Sequence, residues 1–368
     1  MKNKKILTSI TQSLLLSTGL LLSLSAGLAI GYVGGLVKDQ PVLTQKEMKD
    51  QINNISQNSE VYFGSGEKLG TINSELIRKT VSYEELGDNV KNAIIASEDS
   101  NFYSNSGVDI FAVIRASLSE VTGEKTTGGS TITQQLVKNQ LLDNSRSYER
   151  KAKEILLALR VDSHFSKNEI LENYLNVAPF GKNSLGQNIS GIETAAQGVF
   201  GVHSKDLNIA QAAYLIGFVQ SPYRYTPFDS AGNIRPDEEL QTGFERQQYV
   251  LERMLSNEFI TKEQFEEAKK FDIKGAYTKQ KYSEYTDYSY IRDEVTSSVA
   301  EILAEQTAKK NNREEEFKNN SDYRNELIEK SRIKFITGGY KVKTTLDKKL
   351  YDTLQETKKQ FASYPTYS

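Results

Sequence analysis

An uncharged run from Ile6 to Val37, entered through Lys2, Lys4 and Lys5 and closed by Lys38 and Asp39, limits how the rest of this chain can be placed. A helix needs ~20 predominantly apolar residues to cross a bilayer, and this run is longer. Its centre, LLLSTGLLLSLSAGLAIGYVGGL (14–36), is rich in Leu, Gly and small residues, as spanning helices are. A cleaved signal peptide is the competing reading, with SAGLA (25–29) as its cleavage site, but such peptides carry an apolar core of only ~7–15 residues. The apolar character continues past Ala29, which favours an uncleaved, single-pass anchor within residues 1–38. The lysines in front keep the short tail in the cytoplasm, so everything after Lys38 is expected outside, at the surface of the cell membrane.

Behind the anchor there is room for one large or two ordinary domains in a chain of 368 residues. The formal charge of −2 gives no bulk argument for nucleic acid, although local basic clusters can still hold anions. With no cysteine, neither disulfides nor thiolate metal sites contribute. Only two histidines exist, His164 and His203, which rules out a histidine-rich metal site.

Residues 39–80 divide into a polar, Gln/Asn-rich stalk and the segment VYFGSGEKLGTI (61–72), which alternates around a Gly-containing turn and predicts a small β-hairpin. From 81 to 272 helical signals dominate, and a mainly α, compact domain is expected. Ser166 with Glu169 forms a capping box ahead of Ile170, Leu171, Tyr174 and Leu175. NIAQAAYLIGFV (208–219) is too apolar to lie anywhere but in a core, and Thr261 with Gln264 opens a further helix. Residues 273–368 shift in composition: KKNNREEEFKNNSDYRNE (309–326) is either a solvated helix or a disordered insert. GGYKVKTTLD (338–347) alternates like a strand entering a further region.

Three polar clusters within this body are candidates for chemistry. ASEDSNFYSNSGVD (96–109) carries Glu98 and Asp99 where an apolar helix meets a loop; a solvated acidic pair and a general base both fit that placement. Asp109 is expected to cap the helix that follows. In TTGGSTITQQLVKN (126–139), two glycines lead into Ser130, Thr131 and Thr133, a loop turning into a helix N-terminus with N–H groups facing outward. Gln134 with Lys138, and Gln135 with Asn139, form two polar rows on that helix. Amides and hydroxyls of this kind suit carbohydrate, and Lys138 suits phosphate; the GxxxxGK[ST] spacing of a nucleotide-phosphate loop is missing. In RKAKEILLALRVD (150–162), Arg150 and Lys151 flank Glu154 on a helix that Ala152, Ile155, Leu156, Ala158 and Leu159 are expected to bury. The bland alternative there is a surface ion-pair cluster worth ~0.3–0.5 kcal/mol per pair. A carboxylate among cations can orient those cations, hold a divalent ion or stabilise positive charge at a sugar carbon.

In this order, and with KNEILENYLNVAPFG (167–181) and GIETAAQGVFG (191–201) added, the clusters resemble the motifs of the glycosyltransferase family 51 domain of class A penicillin-binding proteins. The resemblance covers roughly residues 90–225. It implies a mainly α, lysozyme-like fold that polymerises lipid II into glycan strands during cell-wall synthesis. Carried over by motif, Glu98 is the general base for the acceptor's 4-hydroxyl and Glu154 the second essential carboxylate, beside the donor's pyrophosphate. Ser130, Thr131, Gln134, Gln135, Lys138, Arg150 and Lys151 would bind the donor, with Asp99, Phe102 and Asn139 supporting the cleft. Glu169, Tyr174, Asn176 and Glu193 would brace the fold. No cofactor is required by the sequence, while Mg or Mn at Glu154 is compatible with it. The implied partners are lipid II, the growing glycan strand, the membrane and other wall-synthesis and division proteins, not nucleic acid.

The sequence departs from the family at Asn105, where a histidine is usual, and at Asp162, where Glu is common. It also lacks the SxxK, SxN and KTG set of a transpeptidase; SGEK (65–68) and SRIK (331–334) match the first by letters alone. The chain is therefore expected to stop before that domain. A lysozyme-like hydrolase and a non-catalytic wall scaffold are the rival readings. The first has little use for the cations or the anchor, and intact Glu98 and Glu154 argue against the second.

Overall fold

The computed structural model describes Gly35 and residues 43–361, except 54, 56–57, 73–75, 110–111, 113–114, 116–128, 143–146 and 279–288. Apart from Gly35, the expected anchor lies outside the described residues. Among the described residues, no helix is long and apolar enough to cross a membrane.

The helices run Gln45–Asn53 (α1), Asp88–Glu98 (α2), Ile132–Gln140 (α3), Tyr148–His164 (α4), Lys167–Val177 (α5), Ile192–Phe200 (α6) and Ile209–Phe218 (α7). They continue as Asp237–Ser256 (α8), Lys262–Lys270 (α9), Ser289–Lys310 (α10), Glu314–Asn319 (α11), Ser321–Thr337 (α12) and Lys348–Phe361 (α13). Six short strands accompany them: Glu60–Tyr62 (β1), Lys68–Thr71 (β2), Leu76–Arg78 (β3), Pro179–Lys182 (β4), Asn188–Ser190 (β5) and Lys341–Lys343 (β6). The mainly helical character expected from the sequence is what the structure has. The described residues form two compact units, one from 43–53 with 102–170 and the other from 55–101 with 171–361.

In the first unit, part of the polar segment read as a stalk is a folded helix. Thr44 and Glu47 cap α1 reciprocally. Met48 and Ile52, four apart and so on one face, are fully buried. Lys49 lies 5.5 Å from the centre of the Phe165 ring, and Arg160 donates to the Leu43 carbonyl at 2.7 Å. Helix α4 corrects the sequence reading of its buried face. Ala152, Glu154, Ala158 and Val161 are buried, whereas Ile155 and Leu156 are half-buried and Leu159 is exposed. Small residues and Glu154 make up most of that buried face, and α3 packs against α4.

The second unit is built on α7, in which nine of ten residues, Ala210 to Phe218, are buried. Helix α8 packs against α7 and against α2. Tyr214 of α7 and Tyr277 share a hydroxyl–hydroxyl hydrogen bond of 2.6 Å inside an aromatic cluster with Phe200, Phe218, Phe228 and Phe244. The predicted capping boxes at Ser166/Glu169 and at Thr261/Gln264 are both formed.

The predicted hairpin forms as β1 and β2, with its turn at Gly64–Gly66. It is not isolated: β6, from GGYKVKTTLD, pairs parallel with β1, with Glu60 opposite Lys341 and Tyr62 opposite Lys343. That strand therefore completes the hairpin's own sheet. A second sheet, in the order β3-β5-β4, also contains a parallel pair, Leu76–Arg78 with Asn188–Ser190. The charged segment 309–326 is helical, and Phe317 packs with Ala304, Ala308, Tyr323, Leu327 and Ile328. SGEK sits in and after the hairpin turn, and Ser331 of SRIK is buried on α12.

Candidate active site

Six of the expected site residues meet in the first unit. Thr131 is the N-cap of α3, its hydroxyl accepting from the Gln134 amide at 3.1 Å while the Gln134 side chain accepts from the Thr131 amide at 3.1 Å. Two N–H groups that the sequence left facing outward are thus satisfied within the chain. Gln134 is fully buried, and its remaining Nε2 donates to Glu154 at 3.3 Å. Glu154 is only 2% exposed on α4. Lys151, three residues earlier, pairs with it, and Arg150 reaches it at 4.0 Å. Lys151 also donates to Ser130 at 2.9 Å. Ser147 caps α4 by accepting from the Arg150 amide at 3.0 Å, which fixes the turn carrying both cations.

Helix α3 keeps Ile132, Thr133, Gln134, Leu136 and Val137 buried and is exposed only near its C-terminal end. Lys138 and Asn139 are exposed and Gln135 is half-buried, so the row from Gln134 to Lys138 runs from the interior to solvent. Lys138 has no ion-pair partner among the described residues. Phe102, fully buried, packs edge-on to Tyr103 with their centroids 5.2 Å apart. Asp109 accepts from the Ala112 amide at 2.9 Å, as expected of a cap.

Glu98 and Asp99 belong to the second unit. Glu98 is the last residue of α2 and Asp99 its buried C-cap, with the Asp99 amide returning to the Ile95 carbonyl at 3.1 Å. Arg246 of α8 donates to Glu98 at 2.9 Å, and both side chains are largely buried. Arg253, two turns on, donates to the Ala96 carbonyl at 3.2 Å, so α8 ties down the end of α2. Burial, with the Glu98 charge second, pushes the Tyr174 phenol well above its ordinary range. Arg246 is a site residue that sequence reasoning missed. Its signal was weak: Arg246 and Arg253 stand seven apart beside the buried stripe Leu240, Gln247, Val250, Leu251 and Met254.

Four buried side-chain polar atoms lack partners among the described residues, the Thr133 hydroxyl and the Nε atoms of Arg150, Arg246 and Arg332. Two of these arginines, Arg150 and Arg246, each stand beside one of the two glutamates. The bracing residues do what the sequence assigned them. Asn176 bonds both ways with the Val81 backbone, at 3.0 and 2.8 Å, and buried Glu193 accepts from the Ser204 amide and hydroxyl at 2.9 and 2.8 Å.

Residues 65–255 match the transglycosylase family, and the chain belongs to it. It is similar to penicillin-binding protein 1A of Clostridium perfringens, 32% identical over 92% of this chain and 38% of that protein. Penicillin-binding protein 1A of Aquifex aeolicus is 39% identical over 66% of this chain and 31% of its own length. Penicillin-binding protein 1A/1B of Bacillus subtilis is 32% identical over 89% of this chain and 32% of its own. The chain thus spans less than half the length of these relatives.

Proposed function

We propose that this chain is a peptidoglycan glycosyltransferase that polymerises lipid II into glycan strands in bacterial cell-wall synthesis. Glu98 takes the proton of the acceptor's 4-hydroxyl, whose oxygen attacks the donor's anomeric carbon. The bond from that carbon to the undecaprenyl pyrophosphate oxygen breaks, its electron pair leaves with the diphosphate, and configuration is inverted. Lys151, Arg150 and Lys138 face the charge that develops on the leaving group, with Ser130, Thr131, Gln134 and Gln135 holding its sugars and phosphates. Asp99, Phe102 and Asn139 support the cleft.

The observation that carries this reading is the buried Glu154, held by Lys151, Arg150 and Gln134 in a chain of the transglycosylase family. A carboxylate so placed keeps two cations fixed without quenching the unused Nε of Arg150. The same donor set does not fit a divalent ion. The carboxylate already takes Lys151, Arg150 and Gln134, and among the described residues no group of three or more His, Asp or Glu could hold a metal. The proposed reaction therefore passes through no metal. Polymerisation that persists in a chelator checks this.

The place of action follows from the substrate. The N-terminal run anchors the chain in the cell membrane with the body outside, where lipid-linked disaccharide is met. Other wall-synthesis proteins are natural partners there.

The deciding experiment incubates the full chain with lipid II and, separately, with mature glycan. Growth of polymer from lipid II is expected; loss of mature glycan instead would make the protein a hydrolase. Glu98→Gln should abolish polymerisation while lipid II binding persists, and Lys138→Ala should weaken donor binding. Unchanged polymerisation in Glu98→Gln would leave a scaffold as the better description.

A further inference from the structure

We propose that Lys167 is a positioning residue for the Glu154 centre, acting through Asn105, Gly107 and Thr131; this rests on the glycosyltransferase reading. The Lys167 ammonium is largely buried and directs its donors at the Asn105 carbonyl (2.8 Å), the Asn105 side-chain oxygen (3.3 Å) and Asp162 (2.6 Å). It also lies 4.9 Å from the centre of the Phe102 ring. Lys167 thereby fastens the loop 102–107 to α4, the helix that carries Glu154.

From that clamp an unbroken series of hydrogen bonds leads to the carboxylate. The Asn105 side-chain oxygen accepts from the Gly107 amide at 2.9 Å, closing a tight turn. Gly107 adopts φ +83°, and a Cβ there would stand 2.6 Å from the Ala158 carbonyl, so the turn sits directly on α4. The Gly107 carbonyl accepts from the Thr131 hydroxyl at 2.6 Å. With its proton committed there, that hydroxyl presents a lone pair to the Gln134 amide. The Gln134 side-chain oxygen is committed to the Thr131 amide, so it is Nε2 that turns to Glu154. Which end of the buried amide faces Glu154 is thus set by the cap, and the cap is held by the loop that Lys167 clamps.

This assigns work to two residues the sequence left unexplained. Asn105 stands where the family has histidine, and its side-chain oxygen serves both Gly107 and Lys167. Asp162, shorter than the usual glutamate, still reaches the same ammonium. An ammonium suits this place because it has three donors and three acceptors converge on it.

The test compares the full chain with its Lys167→Met and Asn105→Ala variants. Misplacing groups that act on the leaving diphosphate affects the transition state, so kcat for lipid II should fall by about tenfold or more while KM moves little. Asn105→Ala keeps the main-chain acceptor and should show a smaller loss of the same kind; it carries the test if Lys167→Met does not fold. Amide exchange supplies a readout independent of turnover. Residues 129–136 should exchange faster in both variants, while α8 is unchanged. A variant that only melts earlier, with kcat per folded molecule and exchange at 129–136 as in the parent, overturns the proposal. If the parent itself does not polymerise lipid II, the activity reading falls, and the clamp is judged on exchange alone.

Discussion

Glu98 and Arg246 form a largely buried ion pair at the end of α2. Removing one partner of such a pair leaves an uncompensated charge and costs on the order of 3 kcal/mol. Arg246→Met should therefore lower the denaturant midpoint clearly, and adding Glu98→Gln should recover part of the loss, since the stranded charge goes with it. Equal midpoints in the single and double variants would mean that the pair is not coupled. Glu98 was legible as a candidate because an acidic pair followed an apolar helix. Its partner was not, because 148 residues separate the two and nothing local marks an arginine for that contact. Glu193 gives a pH dependence. Burial pushes its carboxyl up, but the Ser204 amide, His203, the Ser204 hydroxyl and Lys79 outweigh burial and hold it below the ordinary value of 4.5. A carboxyl depressed on folding contributes stability that is present above about pH 4.5 and is lost as pH falls through the folded value. Glu193→Gln should therefore be less stable at neutral pH and show a shallower acid limb, measured by denaturation across that range.

Elements that declare themselves locally are legible in the amino-acid order alone. The capping boxes at Ser166 and Thr261 need only a spacing of three, and α7 only an apolar content interrupted by Gln211 alone. The hairpin is readable from alternation around a glycine turn. What escapes are features set by distant neighbours: the buried face of α4 and the parallel pairings of β3 and β6. Two variants probe this level. Gly107→Ala must either abandon φ +83° or press a methyl group against α4, and a loss of about 2–3 kcal/mol is expected from thermal unfolding. Tyr277→Phe leaves the Tyr214 hydroxyl buried without its partner, which should cost about 1–3 kcal/mol. A melting temperature unchanged in either would show that the contact is dispensable.

For the whole molecule, the proposed anchor and the proposed catalytic body are expected to make separable contributions. A chain beginning at Asp39 should leave the membrane fraction on cell lysis yet keep polymerising lipid II presented in detergent; retention in membranes would point to a second membrane contact. The sequence by itself determined the anchor expectation, the helical class and the kinship, because hydropathy, periodicity and motif order are local properties that survive without coordinates. It also named Glu98 and Glu154. Only the tertiary structure decided that Gln134 turns inward to Glu154, that Arg246 holds Glu98, and that Lys167 secures the loop at Asn105. Each of those contacts joins residues at least twenty positions apart. Packing selects such partners through the shape of the folded chain, and no short window of sequence contains that shape.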